Sequence, residues 1–93
     1  MNWALPPGAV AAGRRAFVYF PLLHSESESD QNAAAVGLAA LATELPSAAP
    51  FYRAALEHRR AVVRFGRLPE RNAVLGREST AAELEWLGIH PTA

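Results

Sequence analysis

The chain has 93 residues and a mass of 10.0 kDa, which allows one small domain and excludes a two-domain enzyme. Its nine basic and nine acidic residues cancel, and the lack of cysteine excludes disulfides, thiolate metal sites and a cysteine nucleophile. Of the 47 apolar residues 20 are alanine, so 27 larger side chains must fill the core. Because chains of this size gain little more from burial than they lose in conformational entropy, we expect the fold to rely on a ligand, a partner or a second copy of itself.

The pattern of residues 1–23 predicts a lead-in followed by a short helical segment. Residues 1–13 contain two consecutive prolines and end at Gly13, which favours an irregular or short helical structure. Residues 14–23 are rich in aromatic side chains and favour helix over strand. Pro21 lies where a helix would kink or end.

A long helix is predicted from the acidic stretch that follows His24 to about Leu45. Ser25 and Glu28 have the spacing of a capping box, and carboxylates are stabilising near a helix N-terminus. Pro46 ends the helix. Its apolar residues recur at helical spacing and form a narrow stripe suited to packing against another helix: Ala34, Leu38, Leu41 and Leu45.

A second long helix is predicted over residues 51–65, ended by Gly66. A last helix opens at the capping-box pair Thr80 and Glu83 and runs to Gly88. At 100° per residue the second long helix has one broad apolar face, which holds Phe51, Tyr52, Ala55, Leu56, Val62, Val63, Phe65 and Gly66. Its opposite, solvated face holds Arg53, Glu57, Arg60 and Arg64.

No segment shows sustained alternation of apolar and polar residues, so the predicted fold class is all-α, with antiparallel helices packed as a helical hairpin array. We expect one small domain, with residues 14–88 as its helical core and 89–93 as a tail. No apolar stretch approaches the length of a membrane span, and no export signal is recognised, so the expected location is the cytoplasm, away from membranes.

Arg59 is the most informative position of the second long helix, because it projects near the middle of the apolar face, with His58 near the edge. A guanidinium keeps its proton, and burying it without a partner is costly. We therefore expect a negative group to meet Arg59. An internal carboxylate from Glu26, Asp30 or Glu83 is one interpretation, and an anionic ligand or a partner's carboxylate is the other.

The charges are unevenly distributed along the chain. Residues 24–45 hold four carboxylates and no basic residue, whereas 58–77 hold six arginines and a single glutamate. This pattern favours docking of the acidic segment on the basic one, within a chain or across a dimer. Nucleic-acid binding is disfavoured, because a phosphate backbone is better served by net positive charge. Three histidines without a ligand spacing predict no metal site, and no cofactor is expected.

The loop of residues 64–80 combines glycines, several arginines, an asparagine and a helix start. These are the parts of an anion pocket, and equally the parts of a connector whose arginines bond to open carbonyls. If chemistry occurs, His24 or Glu26 is the candidate general base, although a hydrogen-bonded structural role for His24 is favoured. The candidate ligand-binding residues are His24, Glu26, Arg59, Arg67, Arg71, Asn72 and Arg77.

Three ordered runs of residues carry a resemblance to a known family. The residues concerned are 20–26 with Asp30-Gln31, then His58-Arg59, then the loop residues 64–83, which include Arg71-Asn72 and Leu75-Gly76-Arg77. Over about residues 15–87 the chain resembles the bacterial domain of unknown function family 924. The resemblance implies a tetratricopeptide-like helical fold and no established biochemical role.

The chain departs from this family in two ways. It has Leu68 and Glu70 where family members carry an aromatic residue and a histidine. Family members are also about twice as long, so the chain resembles their C-terminal half, and a fragment of a longer protein is one interpretation. Because a helical repeat cannot bury its apolar face alone, we expect self-association as a homodimer.

The functional prediction is therefore a non-catalytic module for protein interaction or self-assembly. A binding protein for a small anionic ligand, or a hydrolase using a His/Glu/Arg cluster, is the alternative. Whether any catalysis occurs does not follow from the sequence.

Overall fold

The computed structural model describes residues 8–89, and all regular elements in that range are helical, which confirms the predicted all-α class. The predicted lead-in before Gly8 and the tail after Ile89 lie outside the described residues. None of the helices in the described range is long and apolar enough to cross a membrane. The α-helices are α1 (Ala9–Ala16), α2 (Phe20–Leu23), α3 (Glu28–Glu44), α4 (Ala49–Phe65) and α5 (Ala81–Ile89). Short 3₁₀ turns are found at Phe17–Tyr19, Pro46–Ala48 and Pro69–Arg71.

The first helices depart from the predicted boundaries. Helix α1 passes through Gly13, which was expected to end the lead-in, and continues to Ala16. A 3₁₀ turn then separates α1 from α2, and Pro21 lies in the first turn of α2, where its missing N–H costs no helical hydrogen bond. Pro21 therefore marks a break between helices, and the expected helix in this segment is confirmed.

The N-terminus of α3 differs from the predicted capping box. Ser27, and not Ser25, is the N-cap, because its hydroxyl accepts a hydrogen bond from the backbone N–H of Asp30 at 3.4 Å. The Ser25 hydroxyl donates instead to the Asp30 carboxylate at 2.6 Å. The C-terminus agrees with the prediction, since α3 ends at Glu44, next to Leu45 and Pro46.

Helices α3 and α4 form a helical hairpin around a core rich in alanine. The predicted stripe of α3 is buried at Ala34, Leu38 and Leu41, while Leu45 is half-buried. Gly37 lies beside the ring of Tyr19, and a Cβ at this position would overlap that ring. The core buried around the stripe is made mainly of small side chains, namely Ala12, Ala16, Ala48 and Ala55. Small side chains such as these allow neighbouring helices to pack closely.

Helix α4 ends as predicted, at Gly66, which has the positive φ of 71° that favours glycine. Val63 is 52% exposed, so its assignment to the apolar face is wrong. The neighbouring Val62 is buried instead, in a small second cluster with Leu68 and Trp86. The loop after Gly66 and helix α5 therefore return to pack on the C-terminal part of α4.

Candidate functional site

Two bidentate ion pairs tie the loop between α4 and α5 to the rest of the molecule. Arg77 donates two hydrogen bonds to the Glu26 carboxylate, at 2.8 and 2.7 Å. Arg67 donates two to Glu83, at 2.8 and 2.7 Å. Buried Asn72 accepts from Arg77 and donates to the Ser79 hydroxyl. We call these five residues the loop clasp: Glu26, Arg67, Asn72, Arg77 and Glu83.

The clasp also satisfies main-chain groups of the loop and of α5. The Glu26 carboxylate accepts a hydrogen bond from the N–H of Leu68 at 2.7 Å. The predicted capping box of α5 is confirmed, because Thr80 and Glu83 each accept from the other's backbone N–H, at 3.1 and 2.9 Å. Glu83 is therefore both a cap and an ion-pair partner, although its side chain is only 2% exposed.

The ionisation of the clasp carboxylates follows from these contacts. The hydrogen bonds from Arg77, assisted by the Leu68 N–H, lower the pKa of Glu26 from its ordinary 4.5 to about 2. The hydrogen bonds from Arg67, assisted by the Thr80 N–H, lower the pKa of Glu83 to about 2. Both groups are thus carboxylates at neutral pH, and Glu26 is poorly suited to act as a general base.

The carbonyls at the end of α2 are bonded by side chains from two distant elements. The amide of Gln31, fully buried on α3, donates to the carbonyls of Leu22, Leu23 and Ser25 at 2.7 to 3.2 Å. Arg71 donates to the carbonyl of His24 at 3.2 Å. These bonds satisfy the orphan acceptors of a helix end and fix the backbone that carries His24.

A cavity of about 570 Å³ lies between α2, α4 and the loop after Gly66. Most of its wall is apolar, and Trp86 of α5 contributes to it. The rings of Phe20 and Phe51, which both line it, pack with centroids 5.9 Å apart. The polar lining residues are His24, Glu57, His58, Glu70 and Arg71.

His58 and Glu70 form an ion pair within this wall. The Nε2 atom of His58 lies 2.9 Å from a Glu70 carboxylate oxygen, and its Nδ1 atom lies 2.7 Å from the carbonyl of Ala54. Because both partners can only accept, the geometry favours the doubly protonated imidazolium. The hydrogen bond to Glu70 accordingly raises the pKa of His58, and the same bond lowers the pKa of Glu70.

His24 faces the same cavity, with its ring centroid 6.1 Å from that of His58. Its Nδ1 atom lies 2.8 Å from the carbonyl of Phe20, so this nitrogen is the donor. In the neutral ring the Nε2 atom is then an acceptor. The hydrogen bond of Nδ1 to the backbone agrees with the structural role favoured for His24.

Arg59 contacts a neutral group, and the expectation of an internal carboxylate from Glu26, Asp30 or Glu83 is wrong. Its Nε atom donates to the side-chain oxygen of Asn32 on α3 at 2.5 Å, and its side chain is only partly buried. The proposed acids have other partners: Arg77 for Glu26, Arg67 for Glu83 and the Ser25 hydroxyl for Asp30. The alternative expectation, an anionic ligand or a partner's carboxylate at Arg59, stays a prediction.

The seven candidate residues therefore separate into three groups. His24 and Arg71 line the cavity, whereas Arg59 does not. The other four candidates belong to the five-residue loop clasp: Glu26, Arg67, Asn72 and Arg77. His58 and Glu70 were not among the site residues predicted from the sequence. Helical spacing places His58 at the edge of the apolar face. The position of Glu70 beside His58 depends on the conformation of the loop after Gly66. Among residues 8–89, no group of three or more histidines and acids is placed to hold a metal ion.

Comparison with known proteins agrees with the resemblance described from the residues. The model of a family described as bacterial protein of unknown function (DUF924) matches residues 5–90. No curated protein matches the chain, and no solved structure matches it.

Proposed function

The chain belongs to this family of bacterial proteins of unknown function, and from its geometry we propose that it binds a small, mainly apolar molecule in the cavity between α2, α4 and the loop. The volume of about 570 Å³ carries the proposal, because ligand sites range from roughly 300 to 1,000 Å³ and combine apolar walls with a few polar groups.

The ties around the cavity support a preformed site. Its loop wall is bonded to three separate parts of the molecule: Glu26 before α3, His58 on α4 and the carbonyl of His24. Pro69, which is buried, further restricts the backbone of this wall. A wall held in this way loses little conformational entropy when a ligand binds.

The test is binding of N-phenyl-1-naphthylamine, a neutral apolar probe whose fluorescence rises in apolar surroundings. Ala54→Leu fills the cavity from α4 and should weaken probe binding about tenfold or more, because a filled pocket excludes the ligand. Ala40→Leu makes the same change at an exposed position of α3 and should leave binding unchanged. No probe binding to the wild type, or equal binding by both variants, would contradict the proposal.

A hydrolase that uses Glu26 as base has little support from this geometry. The carboxylate of Glu26 is held by Arg77 and by the N–H of Leu68, and it belongs to the clasp and not to the cavity wall.

We also propose self-association as a homodimer, on the evidence of exposed apolar residues in α1 and in the 3₁₀ turn that follows it. Phe17 and Val18 of the first 3₁₀ turn are each 67% exposed, and Val10 of α1 is 59% exposed. Such neighbouring apolar side chains are typical of contact surfaces. The alanine-rich core gives a physical reason for a second copy to cover them.

Light scattering coupled to size-exclusion chromatography tests this second proposal. The expected mass is twice the 10.0 kDa of one chain at micromolar concentration. The double variant Phe17→Ser with Val18→Ser should shift the mass to that of a monomer. Val63→Ser, at an exposed position far along α4, is the control and should remain dimeric. A monomeric wild type would remove the proposal.

A further inference from the structure

Arg71 differs from the other arginines of its loop in its partner. Arg67 and Arg77 each form a bidentate pair with a carboxylate. Arg71 donates one hydrogen bond to the main-chain carbonyl of His24, and it forms no ion pair with the acids of the described chain. Arg71 is nevertheless one of the residues that line the apolar cavity.

The two carboxylates of the cavity wall have hydrogen-bond partners other than Arg71. Glu70 is bonded to His58, and Glu57 is bonded to Arg60 at 2.9 Å. Arg71 lies close enough to Glu26 and Glu70 for its charge to lower the pKa of both carboxyl groups, but among the described residues no ion pair joins it to either acid. A hydrogen bond from a guanidinium to a carboxylate is charge-assisted and is about twice as strong as one between neutral groups.

We propose that the molecule bound in the cavity is an amphiphile with an apolar body and one terminal carboxylate, and that Arg71 binds this carboxylate. The inference rests on the proposed cavity function and specifies its ligand class. A guanidinium whose hydrogen bond goes to a carbonyl keeps further N–H donors that match the two oxygens of a single carboxylate. A doubly charged phosphate would place surplus negative charge beside Glu57 and Glu70, which also line the cavity.

The geometry leaves Arg71 able to bind such a group. A guanidinium has five N–H donors, and the bond to His24 uses one of them. The remaining donors include the forked arrangement that matches the two oxygens of a carboxylate. The apolar body would then lie against Phe20, Phe51 and Trp86, which line the same cavity.

The test measures how well sodium decanoate and 1-decanol, which share one alkyl chain, displace bound N-phenyl-1-naphthylamine. Decanoate should displace the probe at about tenfold lower concentration than decanol, as expected of a charge-assisted hydrogen bond. Arg71→Met should abolish this preference, so that decanoate and decanol displace the probe from the variant at equal concentrations, whatever the variant's affinity for the neutral probe. Arg71→Lys keeps the charge and should retain a reduced preference.

Arg53→Met is the matched control, because it removes the same charge from an exposed position of α4 outside the cavity wall. It should keep the full preference for decanoate. Equal displacement by both compounds in the wild type, or an equal loss in both Met variants, would overturn the role of Arg71 and leave the cavity function standing. Failure of the neutral probe to bind would overturn both.

Discussion

Glu26 and Arg77 lie 51 positions apart in the sequence, and their side chains form two hydrogen bonds of 2.8 and 2.7 Å. The same carboxylate accepts from the N–H of Leu68. One acid before α3 thus positions the long loop that forms a wall of the cavity. Breaking this pair should affect both stability and the cavity.

Glu26→Gln should lower the free energy of unfolding by more than its control does, because it breaks a bidentate pair whose side chains are only 25% and 24% exposed. The control is Glu44→Gln, which breaks the Arg15–Glu44 pair, whose side chains are 49% and 62% exposed. Exposed pairs contribute about 0–1 kcal/mol. Urea unfolding of both variants measures the difference, and equal losses would contradict a special role for the clasp.

The clasp also predicts a loss of stability in acid. Glu26 and Glu83 have their pKa lowered from 4.5 to about 2 in the folded chain. A group with a depressed folded pKa contributes stability that is fully present above its unfolded pKa and is lost as the pH falls through the folded value. The urea midpoint should therefore fall between about pH 4.5 and pH 2.

Glu83→Gln removes one of these two titrating groups and so supplies the control for the acid transition. Its urea midpoint should be lower at pH 7 and should change less between pH 4.5 and pH 2 than that of the wild type. A wild-type midpoint that stays constant down to pH 2 would show that these carboxylates are not held as the structure describes.

The clasp shows what could be predicted from the sequence and what could not. Helix ends depend on neighbouring residues, so the C-terminal ends of α3 and α4 and the capping box at Thr80 were predictable. The partner of Arg59 was not predictable. Helical periodicity gives the direction in which a side chain leaves the helix, but not where the end of a long arginine side chain lies, which here is beside Asn32.

The cavity was predictable only in part, for a related reason. His24 and Arg71 were selected as candidates because their residue types suit ligand binding. Glu70 lies beside His58 because the loop turns at Pro69 and is hydrogen-bonded to Glu26. Such a contact depends on loop geometry, for which the sequence has no periodic signal.

The His58–Glu70 pair predicts a stability window in pH. Its folded-state His58 has a raised pKa, so its contribution is present below 6.5 and is lost as the pH rises through the folded value. Glu70 has a lowered pKa, so its contribution is present above 4.5 and is lost as the pH falls through its folded value. The pair should therefore stabilise most between about pH 4.5 and 6.5.

His58→Gln should remove the decline in melting temperature on the alkaline side of this window, because Gln does not titrate. Titration of the His58 ring followed by NMR gives an independent measurement and should show a pKa above 6.5. A ring that titrates at or below 6.5 would contradict the ion pair.

The last prediction concerns two helical glycines that differ in their surroundings. A Cβ at Gly13 would meet nothing within 4 Å, so Gly13→Ala should stabilise the protein by about 0.5–1 kcal/mol through helix propensity. A Cβ at Gly37 would overlap the ring of Tyr19. Overpacking costs about 1–3 kcal/mol, so Gly37→Ala should be net destabilising by about 1 kcal/mol.

Tyr19→Ala removes the ring and should reverse the sign of the Gly37→Ala effect, because the added methyl group then has room. Urea unfolding of the two single variants and the double variant gives the coupling between these positions. Stabilisation by Gly37→Ala in the presence of Tyr19 would mean that the ring can move away at little cost. The close packing of the first 3₁₀ turn against α3 would then not require glycine.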